Sequence, residues 1–120
     1  MNNTHNLSQN IILKKSTICI VLCTFPDFES AQSSIKYLLK NKLAACITQL
    51  SGATSFYYWN NTLTKKKEVQ ILIKSNLMLK NHIFTAIKNL HPYDIPELIV
   101  LSTDSIEKNY KRWIKKNIAY

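Results

Sequence analysis

This 120-residue chain holds one glycine, one arginine and no long apolar run. A lone glycine, Gly52, cannot build the glycine-rich loops that cradle phosphates, so nucleotide sites of that kind are excluded. Arg112 is the only arginine among 16 basic residues, which face 7 acidic ones and leave a net charge of +9. Arginine is the residue best suited to fork onto bases and phosphates, so its scarcity argues against sequence-reading of nucleic acid. Lys, Asn and Ile are abundant instead, and all three have A/T-rich codons. The charge reads as compositional drift, and no specific nucleic-acid partner is expected.

No segment reaches the roughly 20 apolar residues that span a bilayer. The start, MNNTHNLSQNIILKKS, carries only the island Ile11-Ile12-Leu13, too short for the apolar stretch of a secretion signal. A flexible tail over 1–15, a single domain over 16–120, a cytoplasmic location and no membrane partner are therefore expected. The three cysteines form no Cys-x-x-Cys, which excludes zinc-ribbon and thioredoxin patterns. Cys19 and Cys23 lie on one strand, about 13 Å apart at strand rise. A disulfide needs Cα atoms within about 7 Å, so the two do not pair, as befits a reducing compartment.

Hydrophobic residues make up 46% of the chain, enough for one modest core. Thr17 to Thr24 is β-branched and apolar, a buried strand that Pro26-Asp27 ends. Phe28, Ala31, Ile35, Leu38 and Leu39 follow at helical spacing, with Asp27 at the capping position. Ala45 to Trp59 reads as a long strand with a bulge or bend at Ser51-Gly52. Asn60-Asn61 suits a tight hairpin because Asn tolerates positive φ, and Thr62 to Lys74 is the return strand. Leu79, Ile83, Ala86, Ile87 and Leu90 mark a second amphipathic helix. Glu97 to Ser102 is a further strand, and Ile106 to Ile118 a C-terminal helix with Tyr110 and Trp113 turned inward.

The resulting class is α+β, a ferredoxin-like βαββαβ two-layer sandwich with an extra C-terminal helix. In that plan the first strand runs between the third and fourth, antiparallel to both. Its C-terminal end then shares a rim with the close of the second helix and the approach to strand four. Cys23, His91 and Glu97 are expected to converge there. The strands carry a second message. Ile18, Ile20 and Leu22 alternate with Cys19, Val21 and Cys23, and Leu98 and Val100 with Ile99 and Leu101, so both faces are apolar. A sheet face without a helical cover needs another partner, and a second subunit is the economical one.

Five stretches stand out in order: VLCTFPD (21–27), KLAACITQLSGATSFYYW (42–59), EVQILIKS (68–75), LHPYDIPELIVL (90–101) and NYKRWI (109–114). Together they are similar to the CutA family, the divalent-cation tolerance proteins. The resemblance covers residues 18 to 118. It implies a compact homotrimer with an architecture similar to the nitrogen-regulatory PII proteins, and binding of copper or similar divalent ions. Cys23 falls on the cysteine of the family's first motif, and His91 on the histidine before Pro-Tyr. Some members carry a second histidine just before it, where this chain has Leu90, which implies weak holding of the ion. Departures elsewhere are conservative in shape: Ser51-Gly52 stands for Pro-Gly, Asn61 for a hairpin glycine. Lys65-Lys66-Lys67 stands where acidic residues are common.

Each candidate has a plain reading beside the chemical one. Cys23 is a soft-metal ligand or a small buried hydrophobe. His91 is its imidazole partner or a cap on the second helix's C-terminus. Glu97 completes the ligand set or pairs with a lysine. His5 lies in the tail, and His82 on an exposed helical face. The aromatics of FYYW (56–59) serve core or interface before any stacking platform. An enzyme is not expected, since no motif pairs a nucleophile with a base. Acylphosphatases share the topology but need a glycine-rich loop bearing an arginine. RNA-recognition motifs place aromatics where the first and third strands here have Ile, Val and Leu. The alternative function is a PII-like trimer that senses a small ligand and binds metal incidentally.

Overall fold

The computed structural model describes residues 16–119; the tail read over 1–15, with His5, lies outside the described residues. Seven elements follow in order: β1 (Ile18–Phe25), α1 (Phe28–Lys40), β2 (Cys46–Trp59), β3 (Thr62–Asn76), α2 (Lys80–Leu90), β4 (Ile99–Ser102) and α3 (Lys108–Lys116). They make one four-stranded sheet in the order β2-β3-β1-β4, and β1 is antiparallel to both neighbours. The β1 end, the α2 end and the β4 start therefore share a rim, as the sequence implies.

Local chemistry explains the joints. The Ser30 backbone N–H donates to the Asp27 side chain at 2.8 Å, capping α1. Asn60 and Asn61 have φ of 50° and 62°, the left-handed pair a two-residue hairpin turn requires. The register jumps from Leu50↔Gln70 to Ala53↔Glu68, so β2 carries one extra residue at Ser51-Gly52, with Gly52 at φ 80°. A short 3-10 turn, Leu77–Leu79, precedes α2, and the Asn76 side chain accepts from the Met78 N–H at 2.9 Å.

One face of the sheet and the helices close a core around Cys19, Val21, Cys23, Phe25, Ile71, Ile73, Ile83 and Ile87. Truncating an isoleucine in such a place costs about 2–5 kcal/mol. Two expectations need correction. Strand four begins at Ile99, because Pro96 offers no N–H and the ladder starts only at Leu22↔Ile99, so Glu97 lies in the approach. Tyr110 and Trp113 are 41% and 45% exposed; Ile114 and Ile118 turn inward, and the two aromatics stack at 6.0 Å. His82 is exposed, as expected. Among the described residues no helix is long and apolar enough to cross a membrane.

Candidate metal and ligand site at the sheet rim

Thr24 is the pivot of the rim. Its backbone carbonyl accepts from His91 Nε2 at 2.7 Å, and the Cys23 thiol leans on the same oxygen at 3.8 Å. Cys23 and His91, 68 positions apart in sequence, thus meet at one atom. Pro92 steers the chain out of α2, because the residue before a proline is driven to extended backbone; His91 sits at φ −81°, ψ 138°. Its N–H still closes the helix, donating to the Ile87 carbonyl at 2.8 Å. The helix is thus closed by the His91 backbone, while the ring, expected as a possible helix cap, turns instead to the Thr24 carbonyl.

The imidazole is occupied on every side. The Tyr93 backbone N–H donates to Nδ1 at 3.0 Å, so Nδ1 carries the lone pair and Nε2 the proton given to Thr24. The ring stacks on Phe25 at 4.3 Å and meets Tyr93 at 5.0 Å. Burial holds its pKa below the ordinary imidazole value, against the pull of Thr24 and Glu68. Cys23 is fully buried, and burial first, then the charge on Glu97, pushes its thiol up to about 12. Glu97 itself is exposed, close enough for its charge to act on Cys23. All three expected residues reach the rim. Two are enclosed, and one faces solvent.

Sequence reasoning missed Glu68. It is buried, and the Tyr93 hydroxyl donates to its Oε2 at 2.9 Å. The available signal was the strand alternation that leaves a single carboxylate after three lysines on β3. Tyr93 thereby ties His91, through its backbone, to Glu68, through its hydroxyl. Beside this tie opens a cleft of about 830 Å³, bordered by Thr24, Tyr57, Trp59, Lys66, Glu68, Tyr93 and Glu97 among others. A smaller groove of about 330 Å³ between α1 and α2 offers His82 with amides and no carboxylate. Among the described residues, no three His, Cys, Asp or Glu side chains are clustered as a ready metal cage.

A sulfur-and-imidazole pair at the end of β1, fixed by an LHPYDIP joint, sits on an antiparallel sheet of this order. The family described as CutA1 divalent ion tolerance protein matches residues 19–117. The chain belongs to the CutA1 family. The divalent-cation tolerance protein CutA of Yersinia pestis (strain Pestoides F) is 46% identical over 103 residues, spanning 86% of this chain and 87% of that one. The crystal structure of CutA from Xylella fastidiosa superposes with a TM-score of 0.83 at 37% identity, covering 86% of this chain and 99% of that one. CutA1 from Pyrococcus horikoshii gives 0.80 at 34% identity, over 85% and 99%. The CutA1 relationship thus spans all three helices, the long ribbon and the rim.

Proposed function

We propose that this CutA1 chain binds a divalent metal ion of the copper class at the rim, through Cys23 and His91 with Glu97 as a third donor. The single observation behind this reading is the meeting of thiol and imidazole at the Thr24 carbonyl, with the Glu97 charge acting on the thiol. Thiolate and imidazole are soft donors that suit copper, whereas magnesium and calcium want oxygen. The donor types fit, but their present bonds must be given up. The buried thiol must lose a proton, and His91 must release Thr24 or Tyr93 to offer a lone pair. Holding is therefore weak, and it weakens further as pH falls, because protons compete for the same atoms.

The role is binding rather than catalysis: a thiol held near 12 and a fully bonded imidazole leave no activated nucleophile. We further propose a ferredoxin-like protomer working as a homotrimer in the cytoplasm. Three free cysteines favour a reducing compartment, and the exposed Ile99 and Leu101 on the sheet favour the trimer. A second reading, a PII-like trimer sensing a small ligand, draws on the large aromatic-lined cleft beside the same rim.

The test is copper titration of the parent, Cys23→Ser, His91→Ala and Glu97→Gln proteins, each first checked for the parent's assembly. The parent should bind saturably and release about one proton per ion. Either of the first two changes should weaken binding by at least about tenfold, with a smaller loss for Glu97→Gln. Unchanged affinity in both Cys23→Ser and His91→Ala would sink the site and favour the small-ligand reading.

A further inference from the structure

Alternation along β3 puts Lys66 and Glu68 on one face of the ribbon and Lys65 and Lys67 on the other. Only the first pair borders the rim cleft. There the Lys66 ammonium stands 4.3 Å above the centre of the Tyr93 ring, where the negative π face attracts a cation. The same tyrosine donates its hydroxyl to Glu68 and its backbone N–H to His91. The hydrogen-bonding contact with Tyr93 raises the Lys66 pKa, and the charge on Glu68 adds to it, so the ammonium stays protonated.

We propose that Lys66 is a tethered competitor of the divalent ion, a specificity-determining residue that holds the rim site weak. The inference rests on the ion reading above. Glu68 and Glu97 supply the negative potential that draws a cation to this rim. An ammonium pinned on Tyr93 beside Glu68 cancels part of it, and a doubly charged ion feels that repulsion twice over. Lys65 and Lys67 carry the same charge on the same strand but face away from the cleft. They provide the control for net charge alone.

The experiment is calorimetric copper titration of the parent, Lys66→Met, Lys66→Arg and Lys67→Met proteins, each first shown to keep the parent's assembly and melting temperature. At about 0.01 M ionic strength, where the screening length is about 30 Å, Lys66→Met should bind roughly tenfold more tightly than the parent. At about 1 M, with screening near 3 Å, the gap should shrink to about twofold. Lys66→Arg should behave as the parent, and Lys67→Met should stay within about twofold of it at low salt. Equal affinities for parent and Lys66→Met, or an equal gain in Lys67→Met, would overturn the Lys66 inference while leaving the ion site standing. No saturable binding by the parent or any variant would overturn the ion reading and this inference with it.

Discussion

Burial separates the three cysteines chemically. Cys19 and Cys23 are fully enclosed, and burial pushes their thiols up to about 11 and about 12. Cys46 is only half-buried, at the start of β2. At about pH 8 a disulfide-exchange reagent should label one thiol quickly and the other two only as the fold opens. Cys46→Ser should abolish the fast phase; rapid labelling of two thiols would show that Cys19 or Cys23 is open to solvent. The same shifts set an alkaline limit. Unfolded thiols ionise near 9, whereas the native ones keep their protons to higher pH, so the folded state binds more protons above 9. Stability is then present below pH 9 and lost as pH climbs, by about 1.4 kcal/mol per unit for each thiol, up to about 11 for Cys19 and about 12 for Cys23. Urea midpoints measured at rising pH should fall, and a Cys19→Ala, Cys23→Ala protein should show a shallower fall. The convergence of Cys23 and His91 on one rim was legible in the sequence because each sits in a distinctive local motif and the strand order joins their ends. Their enclosure was not, because it depends on one carbonyl, that of Thr24, and on a Tyr93–Glu68 bond between residues 25 apart.

Among the elements, the β2–β3 ribbon was the most readable and the C-terminal helix the least. Alternation and an Asn-Asn pair specify the ribbon from its own residues, and the turn takes both asparagines at positive φ. Asn61→Gly should leave stability unchanged or slightly higher. Asn61→Ala should cost about 1 kcal/mol, because a Cβ without a local hydrogen-bonding group crowds the left-handed region. Equal stability of the alanine and glycine variants in urea would mean that the turn relaxes freely. In α3, spacing alone could not distinguish the buried Ile114 from the half-exposed Tyr110 and Trp113, since all lie on one broad stripe. Packing chose the narrower side chains. Strand four similarly reads two residues too long, because Leu98 extends its apolar run and no break separates Glu97 from it, while the pairing starts only at Ile99.

For the molecule as a whole, the unresolved demand is the open face of the sheet. Cross-strand partners Ile20↔Leu101 and Leu22↔Ile99 lie on the face opposite Cys19, Val21 and Cys23, and Ile99 and Leu101 remain 48% and 45% exposed. Past the last β1 pair, Phe25↔Val69, the β2–β3 ribbon continues with no further strand among the described residues and exposes Phe56, Tyr58, Trp59 and Leu63. Apolar area of this kind on a sheet edge and an unsupported ribbon invites pairing between copies, and cyclic closure limits that pairing to a fixed number. Charge opposes it. A protomer of net charge +9 repels its neighbours, so the attraction must come from the apolar faces rather than from ion pairs. Those two forces respond oppositely to salt. Sedimentation equilibrium at micromolar concentration should give about three times the protomer mass, and raising ionic strength to about 1 M should tighten the assembly by screening the repulsion. Leu101→Glu, which puts a carboxylate on the open face without touching the core, should yield smaller species while keeping the parent's circular dichroism. A parent that sediments as a monomer would remove the subunit cover from the sheet, and a trimer that dissociates with added salt would assign its assembly to charge.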